Sequence, residues 1–222
     1  MKPRERLSIS RQRQTQLSRL MQLSLVGFLF VGFYETDVGI MVNSGFGLAI
    51  TALPAVLERD FEIPMDAGLT LWITAAVFLH AFGTIGLPWM DMSFYQAIGW
   101  WDHLTHALSS SLVAGAGYAT VRALQAHTRE IELPPTVQFT FIIVLVVAFG
   151  VVWEVAEFVL AELSLLLGAE PVLTQYGVGD TMLDLVFNTV GAVIVAGLGT
   201  ARIEPVTRAI GRRLETRRRD GA

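Results

Sequence analysis

Apolar residues gather along this chain into six long runs separated by short polar connections. The runs cover about Leu17–Tyr34, Val38–Leu57, Leu69–Leu87, Trp100–Leu124, Val137–Ala161 and Thr181–Thr200. Each is close to the roughly 17–25 residues that carry an α-helix across a bilayer. A tight turn, Glu35-Thr36-Asp37, joins the first two, and Gly86 and Pro88 close the third. Apolar side chains go all the way round each run, as they do when lipid and neighbouring helices share the surface. The pattern predicts an all-α, polytopic integral membrane protein, a bundle of six transmembrane helices. Residues 1–222 read as one membrane domain, with a basic tail over 1–16, the bundle over 17–200 and an arginine-rich tail over 201–222.

Composition agrees: 53% of the 222 residues are apolar and only 16% are charged. Cysteine is absent, which excludes a disulfide framework, a thiolate nucleophile and a cysteine-based zinc site. The basic N-terminus leads into an apolar run without a small-residue cleavage site, so this run reads as a retained helix and not a signal peptide. Arginine outnumbers lysine fifteen to one, the mark of a GC-rich microbial genome.

Charge orients the bundle. With the N-terminus inside, every one of the 16 basic residues falls on the inner side: the N-terminal tail, Arg59, Arg122, Arg129 and the C-terminal tail from Arg202 to Arg219. By the positive-inside rule both termini are cytoplasmic, in a prokaryotic plasma membrane. Ten acids lie inside among the arginines. The other ten lie outside without a basic partner: Glu35, Asp37, Asp91, Asp102, Glu154, Glu157, Glu162, Glu170, Asp180 and Asp184. Trp89, Trp100, Trp101 and Trp153 map to the same outer rim, as in an interfacial aromatic belt. The basic tails suit anionic headgroups, although positive charge retained for topology explains them equally well. The C-terminal arginines lie against the membrane, so nucleic acid is not an expected partner.

The outer end carries the candidate chemistry. Helix 4 opens Trp-Trp-Asp102-His103-Leu-Thr-His106, where spacings of three and four put Asp102, His103 and His106 on one face. Helix 5 ends with Glu154 and Glu157, again three apart. Helix 6 begins with a four-residue stripe, Asp180, Asp184 and Asn188, descending into its apolar segment. Three helices thus bring polar stripes to one depth.

An ionised carboxylate near hydrocarbon costs several kcal/mol unless it is paired, hydrated or metal-bound. With no outer lysine or arginine, the counter-charge has to be a bound cation, shared protons or protonated His103 and His106. Imidazoles beside carboxylates suit zinc or manganese better than calcium. Asp102, His103, His106, Asp180 and Asp184 are the candidate ligands. Glu154, Glu157 and Asn188 are the candidate catalytic groups, a glutamate serving as general base. Hydration and helix capping account for Asp102 and Asp180 just as well. The deeper His106, Glu157, Asp184 and Asn188 are harder to explain that way. His80, near the end of helix 3, reads first as an interfacial group. Asn43 reads as an interhelical hydrogen-bonding residue, and Gly115, Gly117, Gly191 and Gly197 as marks of close helix packing.

The ordered run Asp102-His103-Leu-Thr-His106, a glutamate-rich helix end, and Asp180-Thr-Met-Leu-Asp184-Leu-Val-Phe-Asn188-Thr-Val-Gly191-Ala192 resembles the VanZ-like membrane proteins. It is more similar to the YjdF-type (DUF2238) inner-membrane family. The match covers about residues 100–200; the first three helices add only hydrophobicity. The lack of basic residues among the motifs departs from many VanZ-like members. The resemblance implies a six-helix membrane protein and supplies no reaction.

Three function classes follow. The first is a metal-dependent, membrane-embedded hydrolase or transferase whose lipid or lipid-linked headgroup reaches the cluster laterally. The second is a cation or proton transporter, although transporters usually bind near the midplane. The third is a scaffold or immunity-type protein whose polar cluster only organises the bundle.

Overall fold

The computed structural model describes residues 9–86, 92–127, 133–168, 171–173, 175–198 and 206–212. Trp89, Asp91, Arg129, Glu170, Arg202, Arg213, Arg217, Arg218 and Arg219 lie outside this set, as do Lys2, Arg4, Arg6 and the expected helix ends Leu87 and Thr200.

The chain is an all-α membrane protein. Its helices are α1 (Arg11–Glu35), α2 (Val38–Thr51), α3 (Leu53–Phe61), α4 (Ala67–Gly83), α5 (Phe94–Ala97), α6 (Trp101–His127), α7 (Pro135–Leu166) and α8 (Val178–Leu198). Among the described residues, four stretches are long and apolar enough to cross a bilayer: α1, the α2–α3 rod over Val38–Phe61, α7, and α8 over Val178–Gly197. The apolar α4 is shorter, and α6 reaches 27 residues with a more polar N-terminal end.

Local chemistry sets the boundaries. The Ser10 hydroxyl accepts from the Arg13 amide, so α1 starts at Arg11, six residues ahead of the apolar run. Thr36 ends it in the left-handed region at φ 57°, and the Asp37 carboxylate then caps α2 by accepting from Ile40 N at 2.9 Å. The second apolar run, expected as one helix to Leu57, breaks at Ala52. Pro54 lacks an N–H and crowds the carbonyl four residues back, which interrupts the ladder there. Asp66 caps α4 through Leu69 N at 2.8 Å. The short α5 was not anticipated; it begins in a capping box between Ser93 and Gln96.

Two groups of helices pack together. In one, α1, α2 and α4 meet around stacked Phe28, Phe78 and Phe82, with ring centroids 5.7–5.9 Å apart. In the other, α6, α7 and α8 enclose a core of Ala114, Ala119, Ile142, Val146, Ala192 and Val195. The closest approach is between α6 and α8. A Cβ on Gly191 would collide with the Ala107 carbonyl and come within 2.5 Å of Ser110 Oγ, so only glycine lets these backbones touch. Gly117 similarly gives way to Leu145, whereas Gly197 has nothing within 4 Å and marks no contact. Residues 206–212, expected as part of a tail, form a helical turn whose Val206 and Ile210 pack on the α6–α8 core.

Candidate metal centre at the polar end of α6, α7 and α8

Trp101 sets the rotational phase of α6. Its indole donates to the Leu79 carbonyl at 3.1 Å, and its ring lies against Phe82 and Phe94. The expected aromatic belt is therefore only partly a belt: Trp100 is 60% exposed, but Trp101 is 8% exposed and holds α6 to α4. Trp153 also turns inward, its indole donating to Glu157 Oε1 at 2.9 Å.

With α6 held this way, Asp102 and His106 face the bundle interior one turn apart. His106 Nε2 lies 3.5 Å from Asp102 Oδ1, and its Nδ1 lies 3.7 Å from Glu154 Oε1 on α7. On the α8 side, His103 Nδ1 is 2.9 Å from Asp184 Oδ1. Phe187 stacks on the His103 ring at 4.8 Å with the planes 4° apart, which fixes the imidazole. Asn188, one turn below Asp184, is buried against α7 where Gly150 leaves room; a Cβ there would sit 2.7 Å from Asn188 Nδ2.

Two overlapping groups of ligand atoms result, Asp102 with His106 and Asp184, and His106 with Glu154 and Glu157. Within each group the atoms lie within 4.8 Å of one another. His106 belongs to both. His103 and Asp180 belong to neither: His103 is committed to Asp184, and Asp180 Oδ2 accepts from Tyr176 N at 3.1 Å, facing the loop before α8. Glu154 is only 4% exposed, and its carboxylate oxygens make no close hydrogen bond among the described residues, although the Thr181 hydroxyl of α8 lies near them. No lysine or arginine pairs with any of these acids among the described residues.

Other polar residues join from outside the sequence motifs. Tyr95 of α5 places its hydroxyl 2.8 Å from His80 Nδ1 and 3.4 Å from Thr105 Oγ1. Thr105 in turn donates to the Asp102 carbonyl at 2.8 Å. Gly83 leaves the space that the Tyr95 ring fills. The Ser93–Gln96 capping box is a readable sequence signal for α5, but nothing in it points to His80. Asn43 does not bridge two helices as expected. Its amide donates to Gly39 O at 2.8 Å on its own helix and to Val172 O at 2.9 Å in the outer segment after α7. Tyr176, in the same connection, has its phenol pKa raised by partial burial and by the charges of Asp102 and Asp180, the sign of a negative field at this end.

The match to known families falls over this same architecture. Residues 17–204 fit the family described as predicted membrane protein, DUF2238. The chain belongs to that family. It is also 30% identical over 144 residues to an uncharacterised protein of Thermotoga maritima, an alignment covering 64% of this chain and 67% of that protein. No solved structure matches it.

Proposed function

We propose that this DUF2238 protein is a metal-dependent hydrolase or transferase of the prokaryotic plasma membrane, acting on a lipid-linked substrate at the outer leaflet. In this reading six helices span the bilayer, with α2 and α3 forming one of them, and both termini face the cytoplasm. The support for the orientation is that Arg11, Arg13 and Arg19 open α1, Arg59 closes α3 and Arg122 lies near the end of α6, all at the end opposite the acids.

The observation that carries the reading is the position of His106 between two carboxylate groups, beside a Glu154 that is buried without a close hydrogen bond. A buried carboxylate without a donor is expensive unless a cation completes it. Zinc or manganese held by Asp102, His106 and Asp184 fits this donor set. His103 then orients Asp184, as second-sphere groups orient ligands. A bound metal would supply Lewis acidity toward a phosphoryl or carbonyl oxygen. Glu154 and Glu157 would take the proton from the attacking water, with the Trp153 indole fixing Glu157. Asn188 would donate to the substrate's polar group, and Asp180 would shape the field at the mouth.

The organising role favoured by a scaffold reading draws on the His103–Asp184 bond, which would tie α6 to α8 without any ligand. Elemental analysis of detergent-purified protein separates the two. The metal reading expects close to one zinc or manganese per chain, lost in His106→Ala; wild-type protein that stays metal-free after incubation with both ions refutes it.

A further inference from the structure

A chamber of about 380 Å³ runs inward from the cluster between α2, α4, α6 and α7. Its outer end is polar, where His80, Thr105, His106 and Asn188 meet. Its deeper walls are apolar, formed by Ile50, Leu53, Val77, Leu112, Val113 and Val146. Along the α2–α3 rod the lining reaches from Asn43 to Leu53, about 15 Å of helix at ~1.5 Å per residue. On α6 the lining covers a similar length, from Thr105 to Val113, so the chamber is a sleeve elongated along the helices.

The surroundings of the sleeve show where an occupant comes from. Packing joins α2 to α4, α4 to α6 and α6 to α7, but α2 and α7 do not pack against each other as those neighbours do. Their unjoined edges carry Phe46 and Phe149, both lining the chamber and both 53% exposed. Both helices are long and apolar enough to span the bilayer, so this slot faces hydrocarbon. On the outer side, Asn43, which itself lines the chamber, donates to the Val172 carbonyl. An apolar sleeve open sideways to lipid favours an apolar chain that is already in the membrane.

We propose that the sleeve seats one hydrocarbon chain of a membrane lipid, entering between α2 and α7, with the chain's ester or phosphoester linkage held at His106 and Asn188. This rests on the outer-end cluster being a reaction site and names the substrate class it would take: a lipid recognised by a single chain. Ser109 marks the sleeve most cleanly. It lines the chamber in the middle of α6 yet is exposed, so its side chain borders free space and not packed neighbours.

The test places the full chain in nanodiscs of phosphatidylglycerol carrying a photoactivatable diazirine on one acyl chain, and maps the crosslinks by peptide mass spectrometry. Label is expected on Ile50, Leu112 and Val113, alongside the label that bulk lipid leaves on the exposed Val186 and Ile194 of α8. Ser109→Phe should lower the chamber label about tenfold, the change that ~1.4 kcal/mol of occlusion produces, and leave Ile194 unchanged. Val77→Phe fills the sleeve from the opposite wall and should do the same if Ser109→Phe misfolds. Wild-type protein labelled only on its outer face, or label that persists in both variants, overturns the proposal. Metal measured on the same samples keeps the two ideas apart. Chamber label on metal-free protein supports the seat and sinks the metal reading, and metal-loaded protein without chamber label sinks the seat alone.

Discussion

The two groups of helices handle buried polarity in opposite ways. Among α1, α2 and α4, several hydroxyls close on their own helix: Ser18 bonds the Gln14 carbonyl, Thr51 that of Leu48 and Thr84 that of Ala81, while the buried Ser44 and Thr74 make no hydrogen bond. Phenylalanine rings make the contact between α1 and α4. Among α6, α7 and α8, the acids and imidazoles meet between helices, His103 with Asp184 and His106 with Glu154. The difference is one of donors. A hydroxyl can donate to a carbonyl three or four residues back, so its own helix can satisfy it. An ionised carboxylate only accepts, and a helix interior offers it no free N–H. Burying one therefore commits it to a side-chain donor or to a cation. Glu157 takes the Trp153 indole, whereas Glu154 has His106 at 3.7 Å and no close hydrogen bond, so its commitment is incomplete.

The contrast breaks most severely at Gly191. Its missing Cβ faces the backbone carbonyl of Ala107, which cannot rotate away as a side chain would. Gly191→Val should separate α6 from α8 at a cost of about 3 kcal/mol, the upper end of overpacking effects. It should also part His103 from Asp184. Gly45→Val in α2, where nothing lies within 4 Å of the added Cβ, should cost about 1 kcal/mol or less. Unfolding in detergent, followed by tryptophan fluorescence, measures both. Equal losses would mean that close α6–α8 packing is not what assembles the outer end.

The next effect turns on sign. If Glu154 is a scaffold group, Glu154→Gln destabilises the protein whatever metal is present. If it stands beside a cation, the substitution removes an unpaired buried charge, so metal-free protein should be unchanged or more stable. Saturating zinc or manganese should then reverse the order. Metal at 100 times its Kd stabilises wild type by ~2.7 kcal/mol, and a tenfold weaker variant gains only ~1.4 kcal/mol. That metal-dependent gap should narrow as pH falls, because protons compete for the imidazole and carboxylate ligands. Melting curves with and without metal, at two pH values, decide it. A variant equally destabilised under all four conditions contradicts the metal reading.

Much of this was legible in the sequence because it depends on short spacings. Asp102 and His106 share a face by helical period alone, as do Trp153 and Glu157, and Gly191 shows its packing role through its place after the Asp184–Asn188 stripe. The break at Ala52 was missed by the expectation of one helix to Leu57, although Pro54 stands inside the apolar run as a signal for it. What stayed hidden needs the positions of whole helices. His80 becomes a neighbour of the cluster because α4 lays it against Trp153 of α7 and α5, a single turn in the α4–α6 connection, delivers Tyr95 to it. The sleeve is the gap left where α2 and α7 do not close, and no residue pattern encodes a gap. The inward turn of Trp101 was hidden for the same reason: an outer-rim tryptophan looks identical in sequence whether it faces lipid or the Leu79 carbonyl.

Asn43 is the exception that refines the comparison. It lies in the α1–α2–α4 group, yet its amide reaches 129 residues along the chain to Val172 as well as back to Gly39. An amide has two N–H donors, so it can satisfy its own helix and still reach out. Asn43→Ala should remove one long-range bond at about 1 kcal/mol and should barely shift global unfolding. Its signature should be local. Amides from Tyr176 to Gly179 should exchange faster with deuterium, since the outer connection loses its tie to α2, while the α1–α4 aromatic stack should keep wild-type protection. Faster exchange throughout α2 would instead make Asn43 a helix-holding residue of the ordinary kind. Uniform, wild-type exchange would show that Val172 is held in place without it, by the short path back to α7 and by Asp180 accepting from Tyr176 N.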